Sequence, residues 1–258
     1  TLKMSNLLSV VIITFNEERN IERCLKSIQD IADEIIVVDS FSKDATKAIC
    51  EKYSVNFIEH AFEGHIEQKN WARKQASQNL VLSLDADEAL DEELKKSIQE
   101  VKANPTASGY KMNRLTNYCG TWVKHCGWYP DTKLRLWKND KGEWAGENPH
   151  DEFRLFEKSA EVVHLKGDIL HYSYYTEEDH DKQIEYFTTI AAKAHVKNGK
   201  GTYFLKPQLS AFMKFVKCLF IKAGFLDGKA GWRISVKSAY AAYLKYKKIG
   251  DLIKAQKS

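Results

Sequence analysis

The stretch Leu80-Val81-Leu82-Ser83-Leu84-Asp85-Ala86-Asp87-Glu88 joins a short apolar run directly to an acidic triplet. A run of this length bounded by a polar turn reads as a buried strand. A D-x-D turn at the end of such a strand sets carboxylate oxygens where a hard cation can bridge them to a diphosphate, because Mg²⁺ and Mn²⁺ prefer oxygen ligands. By itself the triplet serves equally well as a helix cap or a solvated loop, so its neighbours decide.

Upstream, Leu7 to Ile13 reads as a first buried strand, and Asn16-Glu17-Glu18 offers a cap and acidic first turn to a helix bearing Ile21, Cys24, Leu25 and Ile28. Glu34 to Val38 is a second strand ending on Asp39. The spacing then predicts a helix over 42–53, a strand over 55–58 and a helix over 67–78 before the strand at Leu80. Strand and helix in alternation imply a parallel sheet with right-handed crossovers, which binds ligands beyond the carboxyl ends of its strands. Polar residues stand at three of those ends: Thr14-Phe15-Asn16-Glu17, Asp39-Ser40 and Asp85-Ala86-Asp87-Glu88.

Downstream, a helix is expected over 92–102, then irregular strands and loops rich in aromatics between Tyr110 and Trp144, then a helix over 176–196. Gly199-Lys200-Gly201 reads as a hinge. The expected organisation is a catalytic domain over 1–198, divided into a nucleotide-binding half (1–104) and an acceptor half (105–198), followed by a basic helical tail over 199–258.

At 258 residues and 43% hydrophobic content, the chain is long enough for one substantial core. Its five cysteines are odd in number and form no C-x-x-C pair, which signals neither a disulfide framework nor a zinc site. Thr1 to Asn6 lacks the basic start and apolar core of a signal peptide, and no long uncharged apolar run appears, so a cytoplasmic chain that spans no membrane is expected. The net charge of +4 is unevenly held: from His195 onward stand 14 Lys and Arg against two acids, leaving 25 basic and 33 acidic residues before it. A basic tail suits an anionic surface. Nucleic acid is not expected as the partner, since no recognition motif accompanies the charge.

Other nucleotide chemistries are disfavoured by what is missing. No G-x-G-x-x-G follows the first strand and no G-x-x-x-x-G-K-[ST] occurs, which disfavours the Rossmann reading and excludes the P-loop. A sugar-nucleotide pyrophosphorylase is expected to carry a glycine-rich loop where this chain has Thr14-Phe15-Asn16-Glu17.

Three motifs in order, Ser9 to Glu18, Ile36 to Thr46 and Leu82 to Glu88, resemble the family-two glycosyltransferases of GT-A fold. Within that family the chain looks most like bacterial lipopolysaccharide-core β-1,4-glucosyltransferases, through Leu134-Arg135-Leu136-Trp137, Trp144 to Asp151, His171-Tyr172-Ser173 and Gly224 to Gly228. The resemblance implies an α/β GT-A nucleotide-diphospho-sugar transferase fold, with a central, mostly parallel sheet, flanking helices and a helical C-terminal extension. It implies inverting transfer of a hexose, glucose first, from a UDP-sugar to a lipopolysaccharide inner-core sugar. The alternatives are another lipid-linked or surface glycan as acceptor, and a non-catalytic nucleotide-sugar-binding protein at the membrane.

Carried over by position, Thr14 and Phe15 shape the base pocket, Glu17 faces the ribose and Asp39 accepts from the base. Asp85 meets the ribose or the metal, and Asp87 binds Mg²⁺ or Mn²⁺, with His171 able to complete the cation shell, donate to the diphosphate or simply cap a strand end. Glu17 can instead serve a helix start and Asp39 the next turn. Gln68 and Lys69 can reach the nucleotide or simply form an exposed helical face. Arg135 offers a planar fork for phosphate or acceptor anions, or a surface ion pair.

Inversion needs a base for the acceptor hydroxyl. The best match is Asp151 in His150-Asp151, with Glu152 as fallback and Glu147 behind it, since this subfamily more often carries His-Glu. His150 can orient the base or bind phosphate. Trp128, Tyr129 and Trp144 can stack on sugars or belong to the core. In the tail, Phe212, Phe215, Val216, Leu219, Phe220 and Ala223 recur at helical spacing, with Lys214, Lys217 and Lys222 on the other side. Such a helix either packs on the domain or lies in a membrane interface, giving peripheral contact with the inner face of the cytoplasmic membrane, where an anionic glycolipid acceptor is anchored.

Overall fold

The computed structural model describes residues 6–147, 150–199 and 201–256. Its first part alternates β1 (Leu8–Thr14), α1 (Ile21–Ile28), β2 (Glu34–Asp39), α2 (Thr46–Cys50), β3 (Asn56–Glu59), α3 (His65–Arg73) and β4 (Leu80–Asp85). After a two-residue turn come β5 (Glu88–Leu90), α4 (Glu92–Ala103), β6 (Gly109–Tyr118), β7 (Thr121–Val123), β8 (Asp131–Lys138), β9 (Gly142–Glu147), β10 (His150–Leu155) and β11 (Val162–Tyr174). The remainder is helical: α5 (Glu177–Lys197), α6 (Lys206–Val216), a π-helical stretch Lys217–Ile221, a 3₁₀ turn Gly224–Asp227 and α7 (Gly228–Ala255). Lys200, in the expected hinge, lies outside the described residues.

The main sheet has the order β3-β2-β1-β4-β8-β6-β11-β5, with β7 on β6, while β9 and β10 form a separate antiparallel pair. The strands β3, β2, β1 and β4 run parallel, as the alternation predicts, and from β8 onward the described pairings are antiparallel. The sheet is therefore mixed, and the region expected to be loose carries long strands. Along β1 the side chains alternate: Leu8, Val10 and Ile12 join α1 and α4 on one face, whereas Val11 joins Ala72 of α3, Trp137, Trp144 and Phe153 on the other.

Two helices are shorter than their sequence predicts. The segment 42–45 gives its backbone N–H groups to side chains instead of to a helix: Asp39 accepts from Ser42 at 2.7 Å, Asn16 from Lys43 at 2.8 Å and Glu18 from Ala45 at 2.9 Å. Such bonds compete with helix formation. Helix α3 stops at Arg73 and does not continue to Gln78, because Ser77 and Gln78 donate to Glu34 and Ser9 at 2.9 and 3.0 Å.

Two compact units result. The first comprises Thr1–Arg114 with Asp131–Tyr172, and the second Leu115–Pro130 with Ser173–Ser258. In the second, α7 packs on both α5 and α6. Cys126, Cys218, Ala230 and Ile234 form its core together with Tyr118 and Val123. No helix among the described residues is long and apolar enough to cross a membrane.

Candidate active site

Register brings the three polar strand ends level. Thr14 pairs with Asp39 and Ile13 with Asp85, so the carboxyl ends of β1, β2 and β4 finish side by side. The loops after β1 and β2 are bonded to each other: Asn16 N donates to Ser42 Oγ at 2.7 Å, and Glu17 N to Thr46 Oγ1 at 2.9 Å. Asn16 and Phe41 hold φ of 54° and 62°, a left-handed conformation that asparagine accepts and phenylalanine rarely does.

Asp39 is buried, and its carboxylate accepts from both the backbone and the hydroxyl of Ser42. Thr14 is buried and Phe15 half exposed. Gln68 is buried as a brace, donating to Ser40 Oγ at 3.1 Å and meeting His60 Nδ1 at 2.8 Å. It is not on an exposed helical face.

Beyond Asp85 the chain turns sharply. Asp85 N donates to Glu88 Oε2 at 2.9 Å, and Glu88 opens β5, which pairs with β11 so that His171 stands opposite Glu88. This pairing sets His171 beside Asp87, with Nε2 to Oδ2 3.1 Å, and Tyr172 N donates to Asp87 O at 2.9 Å. Two predicted metal ligands 84 positions apart in sequence therefore meet.

Asp85 faces cations instead. Arg135 Nη2 lies 3.0 Å from its Oδ2 and Lys69 Nζ 3.0 Å from its Oδ1. Burial opposes its ionisation, but Lys69 and Arg135 outweigh burial and hold the carboxyl well below its usual range. Arg135 and Lys69 are only 3% and 4% exposed. The expectations of a surface ion pair for Arg135 and an exposed face for Lys69 are thus corrected: both cations belong to the interior, where a charge persists only when paired.

The β9–β10 pair reaches this place through α3. Asn70 clamps Trp144 by its backbone, donating to Trp144 O at 2.7 Å and accepting from Trp144 N at 2.9 Å. The next residue inward on α3, Lys69, donates to Asp151 Oδ2 at 2.9 Å. Strand alternation turns Glu152 to the opposite face, where it pairs with Arg154 at 60% exposure. The side chains of Glu147 and His150 lie outside the described residues. Trp144 is core, 4% exposed and edge-on to Trp137 and Phe153, so it offers no open platform for a sugar. Trp128 belongs to an aromatic cluster with Tyr118, Tyr174 and His180 in the second unit, and Tyr129 is half buried there.

Sequence reading missed Glu88. Fully buried, it accepts from Arg135 at 3.2 Å and Arg114 at 3.4 Å, and Arg114 in turn binds Asp131 at 2.8 Å. The result is a chain of alternating charge: Asp131, Arg114, Glu88, Arg135, Asp85, Lys69, Asp151. Its only forewarning was an acid directly following D-x-D.

Buried polar atoms are nearly always hydrogen-bonded, so orphans point to missing partners. Among the described residues the buried side-chain atoms without a hydrogen bond are Thr14 Oγ1, Asp85 Oδ1, Arg135 Nε, Trp137 Nε1, Trp144 Nε1 and Thr202 Oγ1. Thr14, Arg135 and Trp144 are residues of this site, and Asp85 Oδ1 faces the Lys69 ammonium at 3.0 Å, whereas Trp137 is core and Thr202 belongs to the second unit. No group of three or more His, Cys, Asp or Glu side chains among the described residues is set to hold a metal alone. A two-ligand set, the Asp87 carboxylate and the His171 imidazole, fits a hard divalent cation that leaves positions for phosphate oxygens.

Comparison with known proteins decides the family. The profile of glycosyl transferase family 2 matches residues 9–160. The chain belongs to that family. This glycosyltransferase is 30% identical to an uncharacterized glycosyltransferase of Rickettsia typhi, over 95% of this chain and 87% of that one. It is 27% identical to the lipopolysaccharide core biosynthesis glycosyltransferase LpsC of Rhizobium meliloti, over 94% of this chain and 91% of that one. Among solved structures it is similar to S. aureus TarS 1–349 in complex with UDP-GlcNAc, at 17% identity and a TM-score of 0.46 over 97% of this chain and 92% of that one. It spans 45% of the longer TarS chain. The glycosyltransferase has the GT-A fold expected of its family, as a mixed sheet with flanking helices and a helical C-terminal region.

Glu17 gives this site a pH signature. Burial pushes its carboxyl up to about 7 from 4.5; a hydrogen bond from Asn20 opposes the rise, and Asp87, Asp44 and Asp85 add to it. The folded chain then holds an extra proton between those values, so stability falls as pH rises through the window, and the cost is fully present above about 7. Screening at its part-exposed edge reduces that cost to about 1–2 kcal/mol. Glu17→Gln is expected to raise the melting temperature at pH 8 and to leave it nearly unchanged at pH 4, measured by thermal melts. Equal shifts at both pH values would count against a buried, strained carboxylate.

Proposed function

We propose that this glycosyltransferase moves a hexose, glucose first, from a UDP-sugar to a sugar of the lipopolysaccharide inner core, with inversion at C1. One juxtaposition carries this reading: Asp85 at the end of β4 and Asp151 on β10 share the Lys69 ammonium, at 3.0 and 2.9 Å. The donor-side acid and the candidate base, read from separate motifs, thus stand one cation apart. The name of the Rhizobium meliloti relative supports the acceptor class. On this reading residues 1–198 carry catalysis, with the acceptor half over 105–198, residues 199–258 form a basic helical tail, and the enzyme works at the cytoplasmic face of the inner membrane.

The chain's own groups divide the work. Thr14 and Phe15 border the base, Asp39 accepts from it with a lone pair not used by Ser42, and Glu17 meets the ribose. Asp87 and His171 hold Mg²⁺ or Mn²⁺, which when bound supplies positive charge to the leaving diphosphate. Arg135 acts through Asp85, fixing its orientation. Asp151 Oδ takes the proton of the acceptor hydroxyl as its oxygen bonds to C1 and the C1–phosphate bond breaks, releasing UDP.

The test is a panel of UDP-sugars with extracted lipopolysaccharide core as acceptor, followed by UDP release. One hexose donor is expected to turn over, chelation to stop it, and Mn²⁺ or Mg²⁺ to restore it. Asp87→Asn should raise the metal concentration required by about tenfold or more. The reading fails if no nucleotide sugar is turned over, or if chelation and Asp87→Asn leave the rate unchanged.

A further inference from the structure

The second unit exposes an apolar ridge that its own packing leaves uncovered. The stripe read along α6 divides in two. Leu219 and Cys218 are buried, the latter in a core with Ala230 and Ile234 of α7, and Phe215 meets Trp232 edge-on at 5.5 Å. That half of the helix is used. The other half continues outward through Leu209, Phe212 and Met213 on α6 and Phe220, Ile221 and Leu226 after it, each at least 54% exposed. Positions 209, 212 and 213 share one face of a helix, and a helix that only packed on its neighbour has no use for a second apolar face.

The charge along the segment that carries this ridge, 206–226, has one sign. Lys214, Lys217, Lys222 and Lys229 are exposed, and none forms an ion pair among the described residues. From residue 199 on, the acids are Asp227 and Asp251. Asp227 is turned inward, 6% exposed, held by His125 Nδ1 at 2.8 Å and by the backbone N–H of His125. It does not offset the lysines. A second copy of this chain would bring the same cations to the same face and be repelled, whereas a sheet of phosphates complements them.

We propose that α6 and the turns after it rest in the headgroup layer of an anionic phospholipid bilayer. Phe212, Phe220 and Ile221 enter the acyl boundary while Lys214, Lys217 and Lys222 lie at phosphate level. This is the pattern of a helix that lies on a membrane, not one that spans it. The proposal goes beyond the catalytic reading and stands whatever the donor is.

Sedimentation of the full chain with vesicles, in the absence of any nucleotide sugar, tests it. Binding is expected to phosphatidylglycerol-containing vesicles, about tenfold or more weaker on pure phosphatidylcholine, and similarly reduced in about 0.5 M NaCl. Phe212→Ser with Ile221→Ser, and separately Lys214→Glu with Lys217→Glu, should each lower the partition by about tenfold while leaving the melting temperature and UDP affinity unchanged. No binding to anionic vesicles, or variants that bind like the parent, overturns the proposal. So does a dimer by light scattering that Phe212→Ser with Ile221→Ser converts to monomer, since the ridge is then a contact between copies.

Discussion

Asp151→Asn is expected to lower kcat for transfer by about 10³-fold, with UDP-sugar affinity nearly unchanged. An acceptor hydroxyl does not ionise at neutral pH, so removing its proton in the transition state is worth two to four orders of magnitude to a positioned base. Lys69 Nζ donates to Asp151 Oδ2 at 2.9 Å, and asparagine, of the same size, can still accept from it through its side-chain carbonyl oxygen. The loss therefore falls on proton transfer, not on the fold. Glu152→Gln serves as the control, because its carboxylate pairs with Arg154 at the surface. It should change kcat less than about threefold, since an exposed pair is worth little. If Asp151→Asn retains activity within that range, the base lies elsewhere.

Arg135→Met is expected to destabilise the chain by about 3–5 kcal/mol, because it removes one partner from a buried ionic network and leaves charge behind. Glu88 is fully buried and would keep Arg114, at 3.4 Å, as its one paired cation, and Asp85 would likewise keep Lys69 alone. A loss of that size corresponds to a fall in melting temperature of about 10 °C for a chain in this size range. Adding Glu88→Gln to Arg135→Met should recover part of it, because the uncompensated carboxylate is then gone, and a double-mutant cycle measures the coupling. Additive losses would mean that the two side chains do not share one network. UDP-sugar affinity should fall as well, through the loosened Asp85 carboxylate.

The parallel half of the fold was legible because β1, β2 and β4 are covered on both faces, and strands so covered read as nearly continuous apolar runs. The antiparallel half was not. In β11 the burial alternates weakly along Val162–Tyr174, and β5 is three residues long, too short for any period to register. Helix α2 is shorter than its propensity because Asp39, Asn16 and Glu18, brought near only by folding, take the N–H groups of Ser42, Lys43 and Ala45.

Within the site, each residue type was readable but its partners were not. Lys69 and Asp151 are 82 positions apart, and Arg135 and Glu88 are 47 apart. Nothing local marks such pairs, so Arg135 reads as a fork for phosphate or acceptor anions or as a surface ion pair, and Glu88 as a mere neighbour of the acidic triplet.

Sequence alone determined the strand-helix order, the acidic strand ends and the family, since those follow from local hydrophobic period and from motifs in fixed order. The tertiary structure decided the partners. It turned Asp85 toward two buried cations, left Asp87 to meet His171 across the β5–β11 pairing, and set Asp151 beside Lys69 while Glu152, on the other face of β10, pairs with Arg154. The physical reason is the same in each case: charge in a low-dielectric interior is tolerated only beside its opposite, and only the folded chain brings the opposites together.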